Sequence, residues 1–372
     1  MGNTKDDMMG RVCGPALLAL LRAGLWEREV ERLACFPLSP DEWETVFRAA
    51  RRQTVIGLVF RGVQHLPEGL LPPLGLLVRW MAEVDAIERR NLEMNRALAE
   101  LYSACRLGEL NPVLQKGQGV ALCYERPLLR ECGDIDLYFN SSRTFDVALH
   151  NVRARRLRVR RGADRSAYYH WRGVVVEHHS RLLDSYNPFQ KDYVGELERR
   201  HGYSRASLPT GPSSVQVTVP SPFLNLLLLD LHILKHALGR GIGLRQLCDM
   251  ARVCYRFHGL VDAAEMKEAC GQLGLDGWNP LLHAFLTECL GLPAACLPYP
   301  EVAPSARPLA DIVRRGGNFG HYAPGAGETG GPAFVRKWHT VRSFRGNVRF
   351  AFHYAPKEAF WIFTDLLKGQ LR

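Results

Sequence analysis

The chain has 372 residues, of which 47% are hydrophobic and 23% charged, and its formal net charge at pH 7 is +10. That length allows two or three domains, each with its own core, and the composition is that of a globular chain and excludes a disordered or fibrous one. The positive charge favours an anionic partner, which leaves nucleotides, nucleic acids and anionic lipids open.

The cysteines and the apolar segments bear on where the protein resides. The ten cysteines form no Cys-x-x-Cys unit, and most lie in helical apolar patterns. They are typical of reduced, buried thiols, so we predict neither a disulfide framework nor a zinc site. No stretch reaches the roughly 20 apolar residues of a membrane span, and the first residues lack the pattern of a signal peptide. We therefore expect a cytoplasmic protein without a membrane span.

Residues 1–107 have a helical pattern. One helix begins at Pro40, with acidic residues in its first turn, and an apolar helix covers Thr54–Leu66. In Leu74–Leu107 the apolar residues recur every three or four positions, which predicts one long amphipathic helix. We assign 1–107 as an N-terminal helical region.

The pattern changes after this helix, and residues 108–220 predict a small mixed α/β sheet. The predicted order is a strand over Pro112–Gln115, a helix over Gly117–Tyr124, a strand at Asp134–Phe139, a helix from Ser141 or Ser142 to about Arg155, and strands at Ala167–Trp171 and Val174–His179. Lys116-Gly117 forms a turn after the first strand, and Arg172-Gly173 joins the last two.

The chain becomes helical again from Ser221, and we assign 221–372 as a C-terminal helical region. Helices are predicted over Phe223–Leu238, Leu244–Phe257, Val261–Leu273, Trp278–Leu290, Ala306–Arg315, Ala333–Phe344 and Pro356–Leu371. The segment Leu292–Pro332 is rich in Pro and Gly and is predicted as loop around the short helix within it. The fold class expected for the chain is α+β, a mixed sheet with helical regions before and after it.

The pair Asp134 and Asp136 lies in a short apolar run. Side chains alternate along a strand, so both carboxylates would project from one face, with Ile135 and Leu137 on the other. Two carboxylates this close repel each other and are costly to desolvate, and a divalent cation such as Mg²⁺ relieves both costs. An isolated Asp-x-Asp is also typical of a solvated strand end, so the residues upstream decide between the two interpretations.

A strand, a glycine turn, a helix and a strand with Asp-x-Asp resemble the core of the nucleotidyltransferase superfamily with the polymerase-β-like fold. The pattern is similar to a bacterial family described as uncharacterised nucleotidyltransferases. The residues that carry this resemblance are Lys116, Gly117, Leu122, Tyr124, Pro127, Arg130 and Gly133–Leu137. It continues in Val176–His179 and, more loosely, in His232, His236, Arg245 and Asp249, and covers about residues 110–255.

The resemblance implies a Mg²⁺- or Mn²⁺-dependent enzyme that moves a nucleoside monophosphate from an NTP, most simply ATP, to an unknown small-molecule, peptide or protein acceptor. It implies that Asp134 and Asp136 hold one or two metal ions and that Glu177 completes the metal site or acts as general base. The residues that would meet the triphosphate are Lys116, Gly117 and Arg130.

Several of these residues also have a purely structural interpretation. Glu177 could pair with an arginine at a strand edge, Lys116 could be a solvated strand end, and Arg130 could form an ion pair with Glu131 or Asp134. Gly117 is followed by Gln118 where many relatives have Ser or Gly. This departure keeps an alternative open: a catalytically inactive nucleotidyltransferase-fold binding or scaffold protein in a biosynthetic or maturation pathway.

Other polar residues give weaker signals. His178 and His179 are adjacent in a strand, so at most one faces the site, and neither is included among the predicted site residues. His232 and His236 are one helical turn apart, a spacing that suits a metal, but core hydrogen bonding is favoured because no third ligand accompanies them. The segment Gly239–Gly243 is interpreted as a helix stop. The arginines between Arg153 and Arg161 are typical of a solvated face, and they leave an anionic acceptor such as RNA as a weaker possibility.

Overall fold

The computed structural model describes residues 14–162, 166–183, 185, 187–239, 241–316 and 348–370. The expected α+β class is confirmed, with one mixed seven-stranded sheet and helices before and after it in the chain. Two compact units divide the chain: the first comprises the segment up to Val84, Ser185–Lys191 and the segment from Leu229 onward, and the second comprises Asp85–Asp184 and Asp192–Leu228. The boundaries 1–107, 108–220 and 221–372 stay a prediction.

Among the described residues, four α-helices precede the sheet: α1 (Gly14–Trp26), α2 (Pro40–Arg52), α3 (Ile56–Val63) and α4 (Leu74–Leu107). Helix α2 begins where the sequence predicts because Ser39 caps it. The Ser39 hydroxyl accepts from the backbone N–H of Glu42, and the Glu42 carboxylate accepts from the backbone N–H of Ser39 at 2.7 Å. Helix α4 has the predicted bounds.

Helices α1 and α3 approach each other at two glycines. A Cβ atom on Gly24 would lie 1.8 Å from the carbonyl oxygen of Leu58, and one on Gly62 would lie 1.9 Å from that of Leu20. Glycine at both positions is therefore required for this backbone contact, which lies within the first unit.

The sheet belongs to the second unit and has the strand order β3-β4-β5-β2-β1-β7-β6. Its strands are β1 (Val113–Gln115), β2 (Ile135–Tyr138), β3 (Arg160–Arg161), β4 (Ala167–Trp171), β5 (Val174–His179), β6 (Tyr203–Pro209) and β7 (Ser214–Pro220). Strand β2 pairs antiparallel with β1 and parallel with β5, and β1 pairs parallel with β7. Strand β2 therefore has a paired neighbour on both sides.

One face of the sheet packs against the core of the second unit. Ile135 and Leu137 of β2 are fully buried there, together with Val176 of β5. The second half of α4 and helix α6 (Ser142–Ala154) supply the apolar side chains that cover this face, among them Leu98 and Leu149. Because strand side chains alternate, the residues between these apolar positions project to the other face.

The sequence did not predict four elements that complete the second unit: strand β3, helix α7 (Lys191–His201) and strands β6 and β7. Helix α5 (Gly117–Ala121) is shorter than predicted. The sheet is larger than the small one expected, since β7 lies beside β1 and β6 beside β7. Strand β6 has a mostly polar sequence, so its place depends on its seven-residue pairing with β7.

The remaining helices are α8 (Pro222–Leu238), α9 (Leu244–Arg256), α10 (Ala263–Gln272), α11 (Asn279–Glu288), α12 (Arg307–Gly316), a helical stretch over 348–354, and α13 (Pro356–Gln370). They lie close to their predicted bounds, and the helix predicted at Ala333–Phe344 falls outside the described residues. Among the helices that the structure describes, none has the length and apolarity to cross a bilayer. The nine cysteines of the described part of the chain are all free thiols.

Candidate functional site

The pairing of three strands brings polar residues into register on the face of the sheet opposite the core. Asp136 of β2 pairs with Glu177 of β5 on one side and with Gln115 of β1 on the other. Paired residues project to the same side of a sheet. His179 lies two residues after Glu177 and therefore shares its side. The register thus places Asp136, Glu177 and His179 together.

The distances define a compact group. His179 Nε2 lies 2.7 Å from Asp136 Oδ1 and 3.8 Å from Glu177 Oε2. One ligand atom from each of the three side chains can be chosen so that all lie within 4.8 Å of one another, and the described residues contain no other such group of His, Cys, Asp and Glu. Asp136 is buried, whereas the Glu177 side chain is 26% exposed, so the group opens to solvent at Glu177.

The turn between β1 and α5 faces this group. Lys116 and Gly117 both have a positive φ, of 43° and 41°. A Cβ atom on Gly117 would lie 3.5 Å from the backbone carbonyl oxygen of Asp134, so the turn runs beside the residue that precedes β2. The Lys116 ammonium lies 3.8 Å from Asp136 Oδ1. The predicted glycine turn therefore brings a cation to the buried carboxylate.

The other two predicted residues lie on the loop that leads into β2. Arg130 is buried, and its guanidinium donates to the backbone oxygen of Glu131 at 3.2 Å and contacts Cys132 Sγ at 3.3 Å. Asp134 is partly exposed and immediately precedes β2, which begins at Ile135. It does not belong to the three-residue group. The roles of Asp134 and Arg130 stay predictions.

The charges around Asp136 keep it ionised. Burial alone would raise the pKa of this carboxyl, but the charge of Lys116, the hydrogen bond and charge of His179, and the charge of Arg130 lower it to about 2. The same interactions raise the pKa of His179. Burial would lower its pKa, and the hydrogen bond to Asp136 with the charge of that carboxylate raises it above the ordinary value. The Asp136 carboxylate is thus anionic at neutral pH.

His178 lies on the opposite face, as strand alternation predicts. Its Nε2 lies 3.0 Å from the Tyr169 hydroxyl, and its ring packs against Phe139 with centroids 4.7 Å apart. Burial lowers the pKa of His178 to about 3, so the ring is neutral. His179 is the site residue that the sequence analysis left out. The signal that points to it is its spacing of two residues from Glu177.

The donor set fits a divalent cation. Asp136 and Glu177 provide carboxylate oxygens, which suit Mg²⁺ and Mn²⁺, and His179 provides an imidazole nitrogen, which suits transition metals. The three donors converge within 4.8 Å, and the buried carboxylate among them is ionised. Two carboxylate oxygens and one imidazole nitrogen supply three positions of a coordination sphere, so these residues could hold such an ion.

Gln118 follows the glycine turn and is 2% exposed. Neither its amide oxygen nor its amide nitrogen has a hydrogen-bond partner among the described residues. A buried amide without partners is costly and calls for an explanation. It occupies the position at which the sequence departs from the wider superfamily.

The weaker candidates belong to the first unit. The rings of His232 and His236 have centroids 4.5 Å apart, and no third His, Cys, Asp or Glu of the described residues joins them in a metal-binding group. Gly239 and Gly241 donate backbone N–H groups to Lys235 and His236 at the end of α8. This segment is therefore a helix stop, as predicted.

Comparisons with known proteins show the family of the chain. The model of a family described as uncharacterised nucleotidyltransferase matches residues 39–288. A crystal structure of an antigenic nucleotidyltransferase-like protein from Paracoccidioides brasiliensis is similar at 12% identity with a TM-score of 0.33, covering 56% of this chain and 96% of that one. That likeness is distant, and the assignment depends on the family match. No curated protein matches the chain.

Proposed function

The chain belongs to the family of uncharacterised nucleotidyltransferases, and from that membership we propose that it transfers a nucleoside monophosphate from an NTP, most simply ATP, to an acceptor hydroxyl or phosphate. The acceptor oxygen forms a bond to the α-phosphorus, the bond from that phosphorus to the bridging oxygen breaks, and pyrophosphate leaves. The observation that carries this proposal is the convergence of Asp136, Glu177 and His179 within 4.8 Å beside the Lys116-Gly117 turn.

A bound Mg²⁺ or Mn²⁺ ion would neutralise the triphosphate and the charge that develops in the transition state. Asp136, Glu177 and His179 are the residues that would hold it, with Asp134 as a further ligand inferred from the family pattern. The low pKa of Asp136 makes this carboxylate available without loss of a proton. His179 Nε2 donates to Asp136 Oδ1 at 2.7 Å and would give up that proton when it binds the ion.

The remaining side chains have distinct roles in this reaction. Lys116 is the cation that meets the triphosphate, since its ammonium already lies 3.8 Å from Asp136 Oδ1. Gly117 lets the backbone approach the phosphates. Arg130 stabilises the ionised Asp136 from the buried side. Glu177 is the more exposed carboxylate, which suits it to accept the proton of the acceptor hydroxyl.

The test compares Asp136→Asn and Glu177→Gln with Glu196→Gln, which changes a half-exposed carboxylate on α7 that pairs with its helical neighbour Arg200. The measurements are metal-dependent NTP binding by calorimetry and release of labelled pyrophosphate. Loss of Asp136 should weaken metal-dependent binding at least about 100-fold, because partners one step removed from a metal are already worth about 10- to 100-fold. Glu196→Gln should match the wild type. Binding that needs no metal, or that survives Asp136→Asn, contradicts the proposal.

The buried amide of Gln118 favours a second candidate, an inactive nucleotidyltransferase-fold protein that binds a partner in a biosynthetic or maturation pathway. The turn lacks the hydroxyl that many relatives place there, and the amide has no partner among the described residues. This candidate predicts a complex with a partner whose affinity is the same for wild type and Asp136→Asn. Pyrophosphate release by the wild type excludes it.

A further inference from the structure

The row of paired residues that contains the carboxylates continues to the edge of the sheet. Glu177 of β5 pairs with Tyr168 of β4, and Tyr168 pairs with Arg160 of β3. Together with the Asp136 and Gln115 pairs, this gives five residues in register on five neighbouring strands. Paired residues project to one side, so Tyr168 and Arg160 share the face of the carboxylates.

The nucleotide side of this row is already assigned. Lys116 and Gly117 directly follow Gln115 at the end of β1, on one side of Asp136. Tyr168 and Arg160 lie on the other side, beyond Glu177. Because the triphosphate occupies the side of the glycine turn in the proposed function, the β4–β3 side is where the second substrate meets the carboxylates.

Arg160 has the properties of a binding residue. It is exposed, and its guanidinium forms no ion pair or hydrogen bond within the described part of the chain. Arg172, in the turn between β4 and β5, by contrast pairs with Glu100 at 3.0 Å. Tyr168 is half-buried and likewise has no side-chain hydrogen bond among the described residues. The Arg160 guanidinium and the Tyr168 side chain are thus available to bind a ligand on the same face of the sheet as Glu177.

The basic run that contains Arg160 does not act as one surface. Arg161 pairs with Ala167, whose side chain lies fully buried on the core side, so Arg161 projects away from the carboxylate face. Arg153 lies in α6 and Arg155 immediately follows that helix. Arg156 and Arg158 precede β3, so of these six exposed arginines the strand register places Arg160 alone on the carboxylate face.

We propose, on the basis of the proposed function, that Tyr168 and Arg160 form the acceptor subsite and select an acceptor with an anionic group. Neighbouring strands are about 4.8 Å apart, so Arg160 stands about 10 Å from the strand of Glu177. The acceptor then places its reacting oxygen at Glu177 and binds Arg160 through a phosphate or carboxylate. The part of the acceptor between these two groups packs against the Tyr168 ring. Arginine suits both groups because its donors match their planar or tetrahedral oxygens.

The experiment uses the full chain saturated with Mg²⁺ and a non-hydrolysable ATP analogue. Arginines are modified with phenylglyoxal, and the rates at individual residues are measured by mass spectrometry with inorganic phosphate, acetate or chloride at equal ionic strength. Phosphate or acetate should slow modification of Arg160 at least about fivefold and leave Arg161 unchanged. Comparison of the modification rates in phosphate and in acetate shows which anion the subsite prefers.

Two variants serve as controls. Tyr168→Ala should leave the protection of Arg160 intact, because inorganic phosphate and acetate bind the guanidinium without a contact to the ring, and Arg161→Gln should leave it intact as well. Equal protection of Arg160 and Arg161, or protection by chloride alone, overturns the subsite, and so does protection by RNA spread over the whole basic run. A wild-type protein that binds no NTP with metal overturns the proposed function instead. If NTP binds and Arg160 shows no anion protection, only the acceptor subsite fails.

Discussion

Asp230 gives the sharpest prediction about stability. It lies in α8 with only 3% of its surface exposed, and its Oδ1 accepts a hydrogen bond from the Trp278 indole at 2.7 Å. Burial raises the pKa of this carboxyl from 3.8 to about 7, against the opposing hydrogen bonds from Trp278 and Asn279. The folded chain therefore holds a proton here that the unfolded chain has already lost at neutral pH.

The sign and size of the effect follow from this difference. Below about pH 4 the carboxyl is protonated in both states, so it adds no pH dependence to stability. Between about pH 4 and pH 7 only the unfolded state loses its proton, and the free energy of unfolding falls as the pH rises. A shift of about three pKa units corresponds to about 4 kcal/mol, and that full penalty persists above about pH 7.

Asp230→Asn removes the ionisable group and keeps an oxygen that accepts from Trp278. Urea unfolding from pH 4 to pH 9 should show a variant more stable than wild type by up to about 4 kcal/mol above pH 7, with the difference shrinking towards zero at pH 4. Asp311→Asn is the control, because Asp311 is an exposed partner of Arg314 and should change stability by less than about 1 kcal/mol. A difference independent of pH, or a variant less stable than wild type at pH 9, refutes the reasoning.

Three further predictions concern packing and polar groups. Gly24→Ala should destabilise the protein by more than about 3 kcal/mol in thermal unfolding, since its Cβ would meet a backbone carbonyl oxygen at 1.8 Å. Gly75→Ala is the control. Its Cβ would have nothing within 4 Å, so the variant should be neutral or more stable by up to about 1 kcal/mol. Ser39→Ala should lower stability by about 1 kcal/mol, because it removes the cap of α2, and Thr45→Ala is the control, because it removes a half-buried hydroxyl of the same helix that does not cap it. Gln118→Met should stabilise the protein by about 1–3 kcal/mol, because it removes a buried amide without partners among the described residues. If the amide forms hydrogen bonds to the nucleotide, the variant should also bind NTP more weakly. A less stable variant would show that the amide has hydrogen-bond partners in the folded protein.

Elements with a strong local period could be predicted from the sequence. Helix α4 and strands β4 and β5 have the predicted bounds, because apolar spacing and the turn at Arg172-Gly173 specify them locally. Strands β6 and β7 were missed for the opposite reason. Most of their residues are exposed or half-buried, and β7 joins the sheet only through β1, about 100 positions earlier in the chain.

The site divides in the same way. The sequence placed Asp136 and Glu177 in strands, but only the parallel pairing of β2 with β5 puts them side by side. His179 could not be distinguished from His178 without that pairing. The direction of the Asp134 side chain could not be predicted from the sequence. Strand β2 begins one residue after it, so the alternation rule that predicted two carboxylates on one face does not determine its direction.

The apolar residues between the polar ones specify the geometry of the site. Ile135 pairs with Val176, and both are fully buried on the core face, while Asp136 pairs with Glu177 on the other. A slip of one residue between β2 and β5 would turn Glu177 into the core and Val176 towards the solvent, at the cost of an unpaired buried carboxylate. The hydrophobic core therefore selects the register in which two carboxylates meet, although their mutual repulsion opposes it. Lys116 and His179 offset this repulsion, because both lie within 4 Å of Asp136.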